Sequence, residues 1–302
     1  METRKENSIY THIENALKRA EAVRDAKNGI IGVPSGFVEI DARTQGWQPS
    51  EFIIIAGRPG MGTTSFAMNF AINASDIFKQ EVLFFSLDFS AIHLTSRILF
   101  NRTGISPEKI RKAQLEPHEF EELKIKTEGF ANSPLYINDT LFFSVEDLCK
   151  RARKLKASHD IKLIVIDKLQ ALDIGVNNEN IKHICQKLKK LANELQIAVI
   201  ANSELPKSVE QRKGRMRPKE SDLKKIGIPT HIIDTILFLY KPSYYGIDIT
   251  EYGIPADGIE VIFSKIRNRS IGIEVLDYAN RGMQFSNLPR ELYEEYILQT
   301  WY

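Results

Sequence analysis

Residues 57–65 read Gly-Arg-Pro-Gly-Met-Gly-Thr-Thr-Ser, a glycine-rich turn between an apolar run and a helix-like stretch. Gly57, Gly60 and Gly62 let the backbone wrap closely around an anion, and a helix that follows aims its free N–H groups at the same point. The chemistry of such a turn is phosphate binding. The whole span is assigned to it: Gly57, Arg58, Pro59, Gly60, Met61, Gly62, Thr63, Thr64 and Ser65. The standard phosphate loop is G-x-x-x-x-G-K-[ST]. Gly57 and Gly62 have its spacing and Thr64 its Mg²⁺-binding hydroxyl, but Thr63 stands at the lysine position. That lysine normally brings charge to the β- and γ-phosphates, and removing one well-placed electrostatic stabiliser costs about 10²–10³ in rate. Threonine donates a hydrogen bond but carries no charge. Arg58 and Lys168 are cationic candidates for a compensating role.

The second chemical element is IKLIVIDKLQAL, an apolar strand ending in Asp167. A carboxylate at the C-terminal end of such a strand can hold Mg²⁺, the Walker B arrangement. Glycine turns and strands ending in Asp are each common. In this order and together they make a credible nucleotide site, with ATP and Mg²⁺ as the expected ligands.

These residues need a scaffold. From Glu51 short apolar runs alternate with longer amphipathic stretches. Strands are expected at 52–56, 82–86, 135–138, 163–167, 198–202 and 236–240, and helices at 64–75, 92–103, 117–130, 144–157 and 179–195. Fully apolar strands alternating with helices imply a mostly parallel α/β sheet covered on both faces. After Tyr240 the pattern changes: IEVIFSKI and GIEVLDYA, with Asn268 and Arg269 between them, read as an antiparallel hairpin. The stretch IIGVPSGFVEIDARTQGW reads as a Gly- and Pro-rich connector with short extended pieces. Before it, Ile9, Ile13, Leu17 and Ala20 have the spacing of an amphipathic helix that stops at Asn28-Gly29. The expected division is therefore 1–29 as a linker-like helix and 30–302 as one domain.

The bulk numbers are those of a globular protein: 302 residues, 43% hydrophobic and 26% charged. Lys+Arg of 41 against Asp+Glu of 39 leaves a net charge of +2, so any nucleic-acid binding must come from local patches. Cys149 and Cys185 read as buried, reduced side chains. No secretory signal or membrane-spanning run is visible, which makes the cytoplasm the expected location and a membrane an unexpected partner.

With these anchors in place, the chain resembles the C-terminal motor domain of DnaB-type replicative helicases along nearly its whole length. The matching blocks include GVPSGFVEIDARTQGWQPSEFIIIAGRPGMGTTSFAMN, EVLFFSLDFSAIHLTSRIL, LIVIDKLQAL, VEQRKGRMRPKESDLKKIG, DTILFLYKPSYY and IEVIFSKIRNRSIGIEV. The resemblance implies a RecA-like P-loop fold, ATP-driven movement along single-stranded DNA, and assembly into a homo-oligomeric ring or filament. It does not extend to the family's separate primase-engaging N-terminal domain, which this reading takes to be absent. The 9–23 helix resembles the linker that docks on the adjacent protomer in such rings. FSLD matches FSLE, whose glutamate activates the attacking water, so Asp88 takes that role with a side chain one methylene shorter. ANSEL resembles SQL, whose glutamine senses the γ-phosphate; Glu204 stands there, and a carboxylate facing phosphate would repel it. Lys265 and Arg267 match the K-x-R that reaches the neighbouring subunit's nucleotide. The first channel loop corresponds to DIGVNNEN, which has no basic residue. The second corresponds to SVEQRKGRMRPK, with Lys207, Arg212, Lys213, Arg215, Arg217 and Lys219 as the expected DNA contacts.

Thr63, Asp88 and Glu204 all depart from the pattern at the chemistry. The expectation is a helicase-type motor with impaired or lost hydrolysis. The alternative is a catalytically inactive scaffold that assembles with itself or with an active helicase. A KaiC-like or recombinase-like ATPase fits the fold but not the blocks.

Overall fold

The structure, a computed structural model, describes residues 29–140, 144–172, 179–212, 214–279 and 284–301, with positions 9, 10, 13, 14, 17, 21 and 24. Among these, nine strands form one sheet in the order β3-β2-β4-β5-β1-β6-β7-β8-β9. The strands are β1 Phe52–Gly57, β2 Glu81–Ser86, β3 Leu135–Asn138, β4 Ile161–Asp167, β5 Ala198–Glu204, β6 Thr235–Tyr240, β7 Ile259–Ile266, β8 Gly272–Ala279 and β9 Gln284–Asn287. The first six are mutually parallel, and β6 to β9 pair antiparallel. The expected mostly parallel sheet with a C-terminal antiparallel hairpin is the fold observed.

The residues of β1 explain why the sheet is covered on both sides. Phe52, Ile54 and Ala56 enter one core cluster, and the intervening Ile53 and Ile55 enter the other. A strand with no polar face can be satisfied only by apolar layers above and below it. Helix α2 (Thr63–Ile72) supplies one layer through Phe66, Ala67, Phe70 and Ala71. Helix α7 supplies the other, Glu179–Leu195, where Ile184, Cys185, Leu188, Leu191 and Ala192 recur at helical spacing. The remaining helices are α1 Val38–Thr44, α3 Ala91–Thr103, α4 Pro107–Arg111, α5 Pro117–Glu128, α6 Val145–Ser158, α8 Glu220–Lys225 and α9 Glu294–Trp301. Cys149 and Cys185 are buried and free; burial pushes the Cys185 thiol up to about 12.

Four details differ from the sequence reading. The 30–47 connector contains helix α1, because Asp41 accepts the backbone N–H groups of Ser35 (2.7 Å) and Gly36 (3.0 Å) and so pins the turn that starts it. Helix α2 gives way to a π-turn at Asn73–Ile77. Strand β5 runs on to Glu204, which places that carboxylate at a strand end. Strand β9 and helices α4, α8 and α9 have no counterpart among the expected elements. The N-terminal positions described are helical and their side chains exposed, including Ile9, Ile13 and Leu17. No described helix is long and apolar enough to cross a membrane.

Candidate nucleotide-binding site

In an open parallel sheet, ligands bind in the crevice beyond the C-terminal strand ends. Here the C-terminal ends of β1, β2, β4 and β5 converge on a cleft of about 460 Å³, lined by the 57–65 turn, except Met61, which is buried in the core, and by Asp88, Phe89, Arg97, Asp167, Lys168, Asn202, Ser203, Glu204 and Tyr278. A larger cleft, about 1270 Å³, lies toward the opposite, N-terminal ends of the parallel strands and includes Arg43, Arg267, Arg269 and Arg290. Size does not decide between them. Only the smaller one combines a helix N-terminus, a glycine turn and a buried acid.

The turn is built for close approach. Gly60 has φ 86° and Gly62 φ 78°, both in the left-handed region that favours glycine. A Cβ at Gly62 would also collide with the Tyr278 hydroxyl. Gly62 is the N-cap of α2, and no side chain caps that end. The first N–H groups of the helix have no intrahelical acceptor and are therefore available to an anion.

Asp167 is the metal-binding candidate. Its Oδ1 accepts from the Thr64 hydroxyl at 3.1 Å and from Asn202 Nδ2 at 2.9 Å. Its Oδ2 is buried with no hydrogen-bond partner. Burial pushes the carboxyl above its ordinary range, against the opposing hydrogen bonds of Asn202 and Thr64. A buried carboxylate oxygen without a donor, beside a threonine hydroxyl, is a donor set that suits an oxygen-preferring divalent cation such as Mg²⁺. Thr64 and Asp167, expected to act together, are brought together. No group of three or more His, Cys, Asp and Glu side chains suited to a metal occurs among the described residues, so the remaining ligands would be phosphate and water.

The other expected residues divide. Asp88 and Glu204 both line the cleft. Glu204 is not bare, however: Lys168 Nζ donates to its Oε2 at 2.8 Å, and the same ammonium lies 4.0 Å from Asp88 Oδ2. Burial works against the Lys168 charge, yet Glu204, with Asp88 and Asp167 behind it, holds the lysine above its ordinary range. Arg58 turns away, donating from Nε to Glu210 (2.8 Å) and from a terminal nitrogen to the Leu205 carbonyl (2.7 Å). Asn202, Phe89, Arg97 and Tyr278 are additions that the sequence reading does not contain. A polar Asn inside a buried strand is a usable signal for the first; Tyr278 comes from β8 and has none.

The trans-acting pair also divides. Lys265 does not project; its Nζ donates to the Thr230 carbonyl at 2.9 Å and to that of Ile233, tying β7 to the turn before β6. Arg267 does project, with 65% of its side chain exposed and one nitrogen 3.3 Å from Asp234. The β6–β7 register pairs Thr235 with Ile266, so Arg267 sits beside the N-terminal end of β6, away from the cleft.

The six cations expected to contact DNA are placed differently from one another. Arg217 makes two 2.7 Å bonds to fully buried Glu260, and Arg212 pairs with fully buried Asp222. Arg215 lies over the Tyr296 ring at 5.6 Å. These three arginines satisfy acids and an aromatic ring of their own chain. Lys207 and Lys219 are exposed, and Lys213 lies outside the described residues, as does the 173–178 stretch of the other expected loop.

Comparison with known proteins places this geometry. Residues 32–287 match the family described as DnaB-like helicase C terminal domain. The chain is 35% identical to the replicative DNA helicase DnaB of Geobacillus stearothermophilus, over 97% of this chain and 66% of that protein. It is 33% identical to the replicative DNA helicase DnaC of Bacillus subtilis, over 95% and 64%. It thus spans just under two thirds of the length of either. Among solved structures, an isolated ATPase domain superposes with a TM-score of 0.84 at 32% identity, covering 94% of this chain and 99% of that one. A family model matching residues 32–287 and a relative 35% identical over 97% of the chain lead to one assignment: the chain belongs to the DnaB-like helicase C-terminal domain family.

Proposed function

We propose that this chain is the ATP-binding motor domain of a DNA-translocating ring or filament, and that its hydrolysis is slow. The observation that carries the reading is the Thr64–Asp167 contact at the mouth of an uncapped helix, with the second Asp167 oxygen unpartnered. In this reading the backbone of 57–65 wraps the phosphates, and Thr64 with Asp167 holds Mg²⁺. The metal, when bound, neutralises charge developing on the phosphates. Asn202 fixes the Asp167 carboxylate from β5 and also holds the Thr63 carbonyl at 3.1 Å, so one side chain ties the acid to the turn. Asp88 orients the attacking water. Arg267 serves a neighbouring copy's nucleotide, and the exposed lysines of the 207–219 loop take DNA phosphates. Residues 30–302 act as the motor and the 1–29 segment as a linker helix.

The slow rate follows from Thr63: the turn offers main-chain donors but no ammonium of its own. A catalytically silent scaffold that binds nucleotide is the second reading, favoured by Arg58 turning toward Glu210 rather than the turn. Titration calorimetry with Mg-ATP tests occupancy, and steady-state phosphate release with and without single-stranded DNA separates the two readings. The motor reading expects slow, DNA-stimulated turnover; binding without any turnover leaves the scaffold that binds nucleotide, and no binding removes the motor reading.

A further inference from the structure

Six charged side chains line the cleft among the described residues: Arg58, Arg97 and Lys168 against Asp88, Asp167 and Glu204. A triphosphate entering beside three carboxylates needs cationic groups at its terminal phosphate, where charge develops during transfer. A metal on Thr64 and Asp167 supplies one share. The other two cations have partners of their own, Arg58 outside the cleft and Arg97 on its wall. Arg58 is folded onto Glu210 and the Leu205 carbonyl, and Arg97 lies over the Phe89 ring at 4.3 Å.

Lys168 differs. It leaves β4 directly after Asp167, and its ammonium stands between Glu204 (2.8 Å) and Asp88 (4.0 Å). These are the two acids that the resemblance places around the terminal phosphate. The Lys168–Glu204 pair is partly exposed, with side chains 33% and 39% accessible, and such pairs are weak and readily exchanged. A lysine stem has the freedom to swing a point charge from one oxygen anion to another. The surroundings also allow for the glutamate once it is released. Its other oxygen lies 3.9 Å from Arg58. Its backbone is held at both ends by Gln170, which donates to the Glu204 carbonyl at 3.1 Å and accepts from the Glu204 N–H at 3.3 Å. The strand end stays in place while the side chain changes partner.

We propose that Lys168 supplies, from the end of β4, the terminal-phosphate cation that position 63 lacks, with Glu204 as its resting partner. This rests on the nucleotide reading above and deepens it. The pair then acts as a sensor of the third phosphate: a triphosphate draws the ammonium off Glu204, and a diphosphate leaves the pair closed.

The test is calorimetric titration of the full chain with Mg-ADP and with a non-hydrolysable Mg-ATP analogue, alongside thermal melting. Lys168→Met is expected to weaken the triphosphate analogue about tenfold or more while changing Mg-ADP less than about threefold. Lys168→Arg keeps most of the preference, because it keeps the charge. Glu204→Gln tightens the triphosphate by freeing the lysine, a gain that a merely structural pair does not produce. In the Lys168→Met background, Thr63→Lys restores the preference from the usual side of the site. Equal affinities for parent and Lys168→Met at unchanged melting overturn the inference alone, since the cleft still binds. If Lys168→Met melts early, Glu204→Gln decides: no tightening overturns the proposal. Failure of the parent to take either nucleotide brings down the nucleotide reading with it.

Discussion

At the scale of single residues, position 63 and its glycine neighbour carry opposite kinds of information. Thr63 is a chemical deficit in an intact frame, since its carbonyl is held by Asn202 and the helix it opens is regular. Thr63→Lys is therefore expected to raise ATP turnover at least about tenfold, less than the roughly 10²–10³ that one placed charge contributes, because Lys168 already supplies part of it. Phosphate release with and without single-stranded DNA measures this. An unchanged rate means that Asp88 and Glu204 limit the reaction instead. Gly62 is a steric requirement: its φ of 78° and the Tyr278 hydroxyl both exclude a Cβ. Gly62→Ala should cost about 1–3 kcal/mol in urea denaturation. Combining it with Tyr278→Leu should cost less than the sum of the two single changes, by roughly 1 kcal/mol, because the collision is then counted once. Strict additivity would show that backbone strain alone excludes the side chain.

Among the elements, what was legible in the sequence is what local pattern encodes. Gly57 and Gly62 at fixed spacing, an apolar run ending in Asp167, and the period of α7 each need only neighbours in the chain to be read, and the fold class follows from them. The Lys168–Glu204 contact was not legible, because it joins the ends of two adjacent strands 36 residues apart. The 207–219 loop shows the same limit more sharply. A run of basic residues reads as a nucleic-acid patch, but Glu260 on β7 and Asp222 on α8, both fully buried, claim two of its arginines. Helix α9, absent from the sequence reading, adds the Thr300 hydroxyl 3.0 Å from Arg217. Arg217→Met leaves a buried carboxylate without its partner and should destabilise the domain by about 3–5 kcal/mol. Lys219→Ala should leave denaturation unchanged and weaken single-stranded DNA binding, with a shallower salt dependence. An Arg217→Met protein of parental stability would return that arginine to the DNA-facing set.

For the molecule as a whole, the sheet register separates the two halves of the proposed chemistry. The phosphate turn lies at the C-terminal ends of the parallel strands, whereas Arg267 lies beside the N-terminal end of β6, about 20 Å away along a six-residue strand. An exposed side chain on that side of the sheet cannot reach its own cleft, so any role for it at a nucleotide requires a second copy. The N-terminal positions supply a reason for one to be present. Ile9, Ile13 and Leu17 share a helical face and are 75%, 51% and 60% exposed, so a single chain gains nothing from their apolar surface. Covering that face against a neighbour would join the copies and supply the second chain that a role for Arg267 requires. The double change Ile13→Glu and Leu17→Glu is therefore expected to shift solution mass toward the monomer, leave the melting temperature within about 2 °C because both sites are exposed in the single chain, and remove DNA-stimulated turnover. Sedimentation with a parallel turnover assay checks it. An assembly that survives both charges would locate the contact elsewhere, and a parent that is itself monomeric would leave Arg267 without a nucleotide to serve.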